Sequence, residues 1–313
     1  MSLNGKIQVQ VTAVIQETPA VKRFRLASCS GLALPEFSGG SHIITYLGKG
    51  LERHYSLTRY EKGQYEIAVR LSEESRGGSR FWHNDMKIGD ILHISFPKNY
   101  FQLSFSAKRH IFYAAGIGIT PFLSMMRELK ESGRPFELHY AAKSREQCAF
   151  YDYLVKNYPI ESKFYFSNEG RRIDPAVLSE HRIGTHVYFC GPDSFITEFT
   201  EAALSAGFPM KSVHSERFAP QQRADAVPFA VELSDGRQLA VPENKTLLDA
   251  LLAAGVRAPH SCRVGRCGTC ELRVASGDVD HRDSFLTEEE RLAGNVMLAC
   301  VSRAKSGKLA IEI

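Results

Sequence analysis

No apolar run in this sequence is long enough to cross a bilayer. The most hydrophobic stretch, residues 111–126, is interrupted by two glycines, a threonine and a proline, whereas a spanning helix needs about 20 consecutive apolar residues. The opening residues, Met1-Ser2-Leu3-Asn4-Gly5-Lys6, lack the apolar core of a secretory signal, so export is not expected. Strong charge of one sign is missing as well. The 39 Lys and Arg against 35 Asp and Glu leave a net charge of +4, too mild to argue for nucleic acid or for a membrane surface. No internal repeat, low-complexity tract, nucleophile motif or acid–base dyad is evident, and His42, His54, His83 and His260 read as structural. What remains is an ordinary globular composition, 43% hydrophobic and 24% charged over 313 residues, with length for two or three domains.

Cysteine is plentiful but not paired in a disulfide framework. Four of the seven form one pattern: Cys262, Cys267 and Cys270, then Cys300. The spacing, Cys-x4-Cys-x2-Cys with a distant fourth cysteine, is the plant-type ferredoxin arrangement for a [2Fe–2S] cluster. The other reading is structural zinc, which usually joins two separated close pairs; no second pair follows here. Gly265, Gly268 and Thr269 fill the gaps, small residues that let backbone N–H groups approach the sulfurs and offset a cluster's negative charge. A cluster of this kind moves one electron at a time and binds no organic substrate, so the rest of the chain is expected to feed it. Cys29, Cys148 and Cys190 fit no pairing scheme and cluster ligands must be free thiolates, which together point to a reducing cytoplasm.

The first hundred residues alternate short β-branched and aromatic segments (7–15, 21–26, 41–46, 54–57, 65–70 and 91–96) with Gly, Pro, Asn and Ser. This pattern predicts an antiparallel β-barrel, interrupted by one short helix at 79–84. From residue 110, strand-like segments (110–115, 136–141, 163–167, 186–190 and 212–216) alternate with helical ones, predicting an α/β domain with a doubly wound parallel sheet. In its first helix Phe122, Met125, Met126 and Leu129 recur at the spacing of a buried face. Residues 219–227 are polar, open on a proline and read as a linker. Extended, it reaches at most about 30 Å, which would hold the next module at about millimolar effective concentration. Strands at 229–233 and 237–241, a helix at 246–254, the cysteine loop and a last strand at 308–313 complete the chain. The expected domains are therefore 1–106, 107–218 and 228–313, joined by 219–227. From Phe229 onward eleven Lys and Arg face twelve Asp and Glu, net −1, leaving +5 on the remainder.

Two stretches of the barrel suit a flavin phosphate. In Arg53-His54-Tyr55-Ser56-Leu57, alternation along a strand separates Arg53 and Tyr55 from His54 and Ser56. Arginine supplies a cationic fork and tyrosine a flat surface. Arg76-Gly77-Gly78-Ser79 leads into the short helix, where glycines allow close backbone approach and free N–H groups meet an anion. In the α/β domain, Gly116-Ile117-Gly118-Ile119-Thr120-Pro121 follows a strand and opens a helix, and Cys190-Gly191-Pro192 does the same. Two such turns at the carboxyl edge of a parallel sheet define a ligand crevice; each alone is also an ordinary strand-to-helix turn. Lys143-Ser144-Arg145 reads either as a solvated charge run or as a site for the adenosine ribose of a dinucleotide.

These motifs, in this order, resemble the phthalate dioxygenase reductase family within the ferredoxin–NADP reductase superfamily, whose members include reductase components for vanillate demethylase and carnitine monooxygenase. The resemblance covers essentially the whole chain and implies a flavin barrel, a pyridine-nucleotide domain and a β-grasp plant-type ferredoxin domain. It also implies roles. Arg53 and Ser79, with the Gly77–Gly78 backbone, would hold the flavin phosphate, Tyr55 and Ser56 would meet the flavin ring, and His54 and Arg76 would belong to the same cofactor site. Phe218 would cover that ring. Gly116, Gly118, Thr120, Pro121, Cys190, Gly191 and Pro192 would line the nicotinamide channel, with Ser144 and Arg145 on the adenosine side. Ser56, Thr120, Cys190 and Phe218 would thus stand at the reacting rings. The Arg-Gly-Gly-Ser form is similar to members that bind FMN rather than FAD, and the family leans to NADH over NADPH. The implied partner is a Rieske-type oxygenase; this chain has no Cys-x-His with a later Cys-x2-His, so it carries no Rieske centre itself. The alternatives are a reductase for a cytochrome P450 or another one-electron acceptor, and a non-enzymatic redox sensor.

Overall fold

The computed structural model describes residues 5–48, 51–73, 75, 77–218, 226–305 and 307–313. The chain divides into two compact units, Met1–Glu216 and Arg217–Ile313.

Six strands open the first unit: β1 (Lys6–Thr18), β2 (Val21–Ser28), β3 (His42–Tyr46), β4 (Glu52–Glu61), β5 (Gln64–Arg70) and β6 (Ile91–Ser95). They pair antiparallel and close into a barrel in the order β1-β2-β5-β4-β3-β6. Alternation sends Val9, Val11, Phe24, Leu26, Ile43, Ile67 and Ile94 into a core without solvent contact. The helix expected at 79–84 is a single turn, α1 (Gly78–Arg80), widening into a π-type turn at Phe81–Asp85. That turn seats Trp82 inside the barrel, 4.6 Å from the Phe24 ring.

Five parallel strands follow: β7 (Arg109–Ala115), β8 (Phe136–Ala142), β9 (Ser162–Phe166), β10 (Thr185–Cys190) and β11 (Val213–Glu216). Their spatial order is β11-β10-β7-β8-β9. Helices α2 (Thr120–Glu131) and α3 (Tyr151–Asn157) cover one face, and α4 (Asp193–Ser205) covers the other. Phe122, Met125, Met126 and Leu129 of α2 are buried, as their spacing predicts. After β9 the chain returns to the far side of β7 to form β10. This reversal opens a crevice between the carboxyl ends of β7 and β10, where open α/β sheets bind ligands.

Helix α2 also fastens the sheet to the barrel. The Gly39 N–H donates to Glu128 Oε2 (2.5 Å), the Gly40 N–H to Ser124 Oγ (3.1 Å), and Arg127 to the Tyr60 carbonyl (3.1 Å). Glycine is required at this contact: a Cβ on Gly39 would lie 2.7 Å from the Met125 Cα of α2.

The second unit comprises β12 (Phe229–Leu233), β13 (Gln238–Val241), α5 (Leu247–Ala253), β14 (Glu271–Ser276), β15 (Val279–Asp280), α6 (Glu288–Ala293), β16 (Val296–Leu298), β17 (Arg303–Ala304) and β18 (Lys308–Glu312). Its sheet runs β13-β12-β18-β14-β16, with β15 and β17 forming a separate pair. Both helices start with capping boxes, Thr246 with Asp249 and Thr287 with Glu290. The sequence patterns assign nothing between the cysteine loop and β18, yet four strands and α6 lie there. Strands of two to six residues carry too few alternations to be read. Of the expected linker, residues 219–225 lie outside the described residues. Among the described residues no helix is long and apolar enough to cross a membrane.

A charge network crosses the parallel sheet. Glu137 on β8 accepts a hydrogen bond from Arg109 on β7 (2.7 Å) and pairs with Lys163 on β9 (2.5 Å) and His139 (2.9 Å), with its side chain only 13% exposed. Bonds from His139 and Lys163 outweigh burial and hold its carboxyl far below the usual carboxylate range. A depressed carboxylate stabilises the fold above its unfolded pKa of about 4.3, and that stability is lost as pH falls towards the folded value. Glu137→Gln should therefore cost about 1.5–3 kcal/mol at neutral pH. Urea unfolding of the first unit, followed by Trp82 fluorescence, should show a gap from wild type that is constant near neutrality. The gap should narrow below about pH 4; a gap that does not narrow would contradict the network.

Candidate active site

The two barrel stretches meet. Arg53 lies on β4, in register with Thr45 of β3, and its guanidinium donates to the Glu52 carbonyl (2.7 Å). Gly78 packs directly on this side chain: a Cβ there would lie 2.5 Å from Arg53 Cγ and 2.6 Å from Nε. Gly77 has φ 90°, a conformation that side-chain-bearing residues avoid. The Ser79 hydroxyl donates to Ser75 Oγ (2.9 Å) and accepts from the Ser72 N–H (3.2 Å), which fixes the turn. An arginine fork, two adjacent glycine amides and a hydroxyl in one cradle form a donor set that fits a phosphate. Next along β4, Tyr55 meets Trp82 edge-to-face at 5.9 Å, and burial pushes its phenol well above the ordinary value, so it stays neutral. Ser56 is nearly buried, and the His54 ring stands 5.2 Å from that of His42. Arg76 lies outside the described residues.

The two glycine turns also converge. Parallel register pairs Ala114 with Cys190 at the ends of β7 and β10. A Cβ on Gly118 would lie 2.1 Å from the Cys190 carbonyl oxygen and 2.7 Å from the Gly191 nitrogen. A Cβ on Gly191 would lie 2.9 Å from that of Ala115. The backbones touch because both residues are glycine, and this contact closes the floor of the crevice. Gly116, with φ 56°, makes the turn, and its carbonyl accepts from the Tyr140 hydroxyl (2.9 Å). Thr120 is buried and donates to the Ile117 carbonyl (2.9 Å), while Pro121 opens α2. Pro192 precedes α4 in the same way. Cys190 has no solvent-exposed surface and packs in the apolar cluster containing Ile119 and Phe122.

On the far side of β7, Ser144 and Arg145 lie in the turn after β8. Arg145 is exposed, stacks on Tyr151 (4.6 Å) and approaches Asp152 (3.8 Å). Phe218, described with the second unit, is 48% exposed.

In the second unit the four cysteines stand as two pairs. Cys270 and Cys300 have sulfurs 3.1 Å apart, and the Cys262 N–H points to Cys267 Sγ (3.4 Å). Among the described residues no three metal-binding side chains converge on one point. Two pairs fit a cluster of two irons, which needs two thiolates at each. The loop is shaped for it: Gly265 and Gly268 have φ 73° and 72°, and the Arg266 N–H also points to a sulfur, Cys262 Sγ (3.4 Å). Hydrogen bonding from Cys262 draws the Cys267 thiol down, and that from Cys300 draws Cys270 down. The Ser284 N–H donates to the Gly265 carbonyl (3.0 Å), and the Phe285 ring closes over Gly268, whose Cβ would lie 2.4 Å from Cζ.

Sequence reading misses Tyr140, Trp82 and Phe285. Each is an aromatic residue without a motif, and only the fold shows what it touches.

The 2Fe-2S iron-sulfur cluster binding domain family model matches residues 231–305, and the model for the N-terminal domain of dimethylamine monooxygenase subunit DmmA-like proteins matches residues 96–213. The chain is 41% identical to the carnitine monooxygenase reductase subunit of Escherichia coli (strain K12), covering all of both chains. It is also 41% identical to the heme-dependent oxidative N-demethylase beta subunit of Ectopseudomonas mendocina, covering 98% of this chain and 99% of that one. The solved structure of phthalate dioxygenase reductase superposes with a TM-score of 0.77 at 33% identity, covering 99% of this chain and 98% of that one. Barrel, parallel sheet, ferredoxin domain and full-length identity agree: the chain belongs to the phthalate dioxygenase reductase family, oxidoreductases that carry electrons from a pyridine nucleotide to a [2Fe–2S] cluster for an oxygenase.

Proposed function

We propose that this chain is the NADH-dependent reductase component of a Rieske-type oxygenase, working in the cytoplasm through FMN and a [2Fe–2S] cluster. One observation carries the reading: a chain whose two glycine turns meet at the switch point of the sheet also holds four thiols in two pairs. A sensor would need the thiols but not the crevice; a free flavin reductase would need the crevice but not the thiols. When bound, FMN would supply the conversion between paired and single electrons and the [2Fe–2S] cluster a one-electron exit, while the protein binds and orients them.

The residues bind and orient. Arg53, Ser79 and the Gly77–Gly78 backbone hold the flavin phosphate, Tyr55 and Ser56 set the ring, and His54 belongs to the same cofactor site. Gly116, Gly118, Thr120, Pro121, Cys190, Gly191 and Pro192 form the nicotinamide channel, Ser144 and Arg145 the adenosine side, and Phe218 covers the flavin. Cys262 with Cys267 takes one iron and Cys270 with Cys300 the other. In this reading the chain works as a barrel (1–106), a nucleotide domain (107–218), a tether (219–227) and an exit module (228–313). The free cysteines support a reducing cytoplasm. Support for the oxygenase partner comes from the carnitine and phthalate reductases.

Gly118→Ala should slow NADH-driven flavin reduction about tenfold or more, since a methyl group there must push apart two backbones at a cost of about 1–3 kcal/mol. Dithionite should still reduce its cluster fully. Cys300→Ser should abolish cytochrome c reduction while a two-electron dye is still reduced; survival of cytochrome c reduction would contradict the route through the cluster. Heating should release FMN, and FAD in the supernatant would overturn that assignment. Reconstitution should couple NADH consumption to product with a Rieske-type oxygenase. Coupling only to a haem-dependent oxygenase would replace that partner class.

A further inference from the structure

Glu17 sits near the end of β1, in the barrel, yet its carboxylate serves the nucleotide domain. Oε1 accepts the Phe150 N–H at 2.6 Å, and Oε2 pairs with Arg23 Nε at 2.7 Å. Both side chains are largely buried, at 15% and 20% exposure. Arg23 is held in turn by Glu66 (3.3 Å), a buried carboxylate that also takes Arg25 (3.2 Å) and the Thr58 hydroxyl (3.3 Å). The Arg23 guanidinium lies over the Phe150 ring, 5.5 Å from its centre.

Phe150 is a strained residue. Its φ of 63° and ψ of 16° are left-handed, a conformation that costs any residue with a Cβ and that phenylalanine has no polar side chain to support. Such a conformation persists only where the surroundings impose it, and here the Glu17 carboxylate does so from another domain. Phe150 ends the turn that begins after β8. The turn is anchored at its start, where the Lys143 carbonyl accepts the Asn168 N–H (3.0 Å), and at its buried end, Cys148 to Phe150. Between the anchors, the Ser144 and Arg145 carbonyls accept local bonds from the N–H groups of Gln147 (3.2 Å) and Cys148 (3.1 Å). Arg145 stacks on Tyr151, the residue that follows Phe150. Moving Phe150 therefore moves the surface that Arg145 rests on.

We infer that Glu17 is a positioning residue for the pyridine nucleotide: a barrel carboxylate that sets the adenosine-side turn through the Phe150 amide. The inference rests on the donor site proposed above. Glu17 touches neither reacting ring in that reading, so its removal weakens nucleotide binding and leaves the reaction of bound nucleotide intact.

The test is stopped-flow reduction of the flavin-loaded protein over a range of NADH concentrations. Glu17→Ala should raise the half-saturating concentration about tenfold, equivalent to about 1.4 kcal/mol of binding, with an unchanged limiting rate and flavin potential. Glu17→Gln should stay close to wild type, because its amide oxygen still accepts the Phe150 N–H. Arg23→Met removes the cation that aims the carboxylate and should give a smaller rise; it also covers the case in which Glu17→Ala does not fold. Wild-type half-saturation in both Glu17→Ala and Arg23→Met, whatever their melting temperatures, would overturn the inference. So would a fall in limiting rate alone. A wild-type protein that dithionite reduces and NADH does not would instead refute the donor site, and the inference with it.

Discussion

The reductase unit depends on the parallel pairing of β7 with β10, which ends at Ala114 and Cys190. That pairing brings two turns from distant parts of the chain to one edge of the sheet. The turns close to contact because Gly118 and Gly191 have no side chains to hold them apart. Any ligand in the crevice then lies on backbone, with Thr120 and Pro121 opening one helix and Pro192 the other. Backbone contact tolerates little displacement, so the floor of the crevice is rigid.

Rigidity matters because the crevice and the phosphate cradle sit on different domains. Several contacts join the domains within this unit, and two sets of them bear on the crevice. One runs from Gly39 and Gly40 of the barrel to Glu128 and Ser124 of α2, the helix that the first glycine turn opens. The other runs from Glu66 through Arg23 and Glu17 to the Phe150 amide. The first holds α2, the helix behind the first glycine turn, and the second holds Phe150 at the end of the turn after β8. Close approach of two reacting rings is worth several orders of magnitude in rate only while their geometry is held, and under the proposed function these buried polar contacts are what would hold it.

Much of this organisation is legible in the sequence, for a physical reason. Covalent chemistry dictates spacing, so Cys262, Cys267, Cys270 and Cys300 predict a cluster before any fold is known. Barrel and sheet strands show through alternation, and α2 through the spacing of Phe122, Met125, Met126 and Leu129. Short strands such as β15 and β17 are invisible because two residues hold no period. Contacts made across the fold are invisible too. Glu17 and Phe150 are 133 residues apart, Tyr140 reads as plain core until its hydroxyl is seen on the Gly116 carbonyl, and nothing marks Phe285 as the cover of Gly268. The motifs identify what is bound; the long-range contacts determine where it is held.

In the proposed relay two electrons enter together at the crevice and leave singly at the thiol pairs, so order in time is the most direct check. Mixing the loaded protein anaerobically with NADH, and freezing samples at successive times, allows flavin absorbance and the cluster's paramagnetic signal to be followed in parallel. Loss of the oxidised flavin band should precede the reduced-cluster signal, which should rise with a lag. A cluster signal that appears before the flavin is reduced, or without its reduction, would contradict a relay through the flavin.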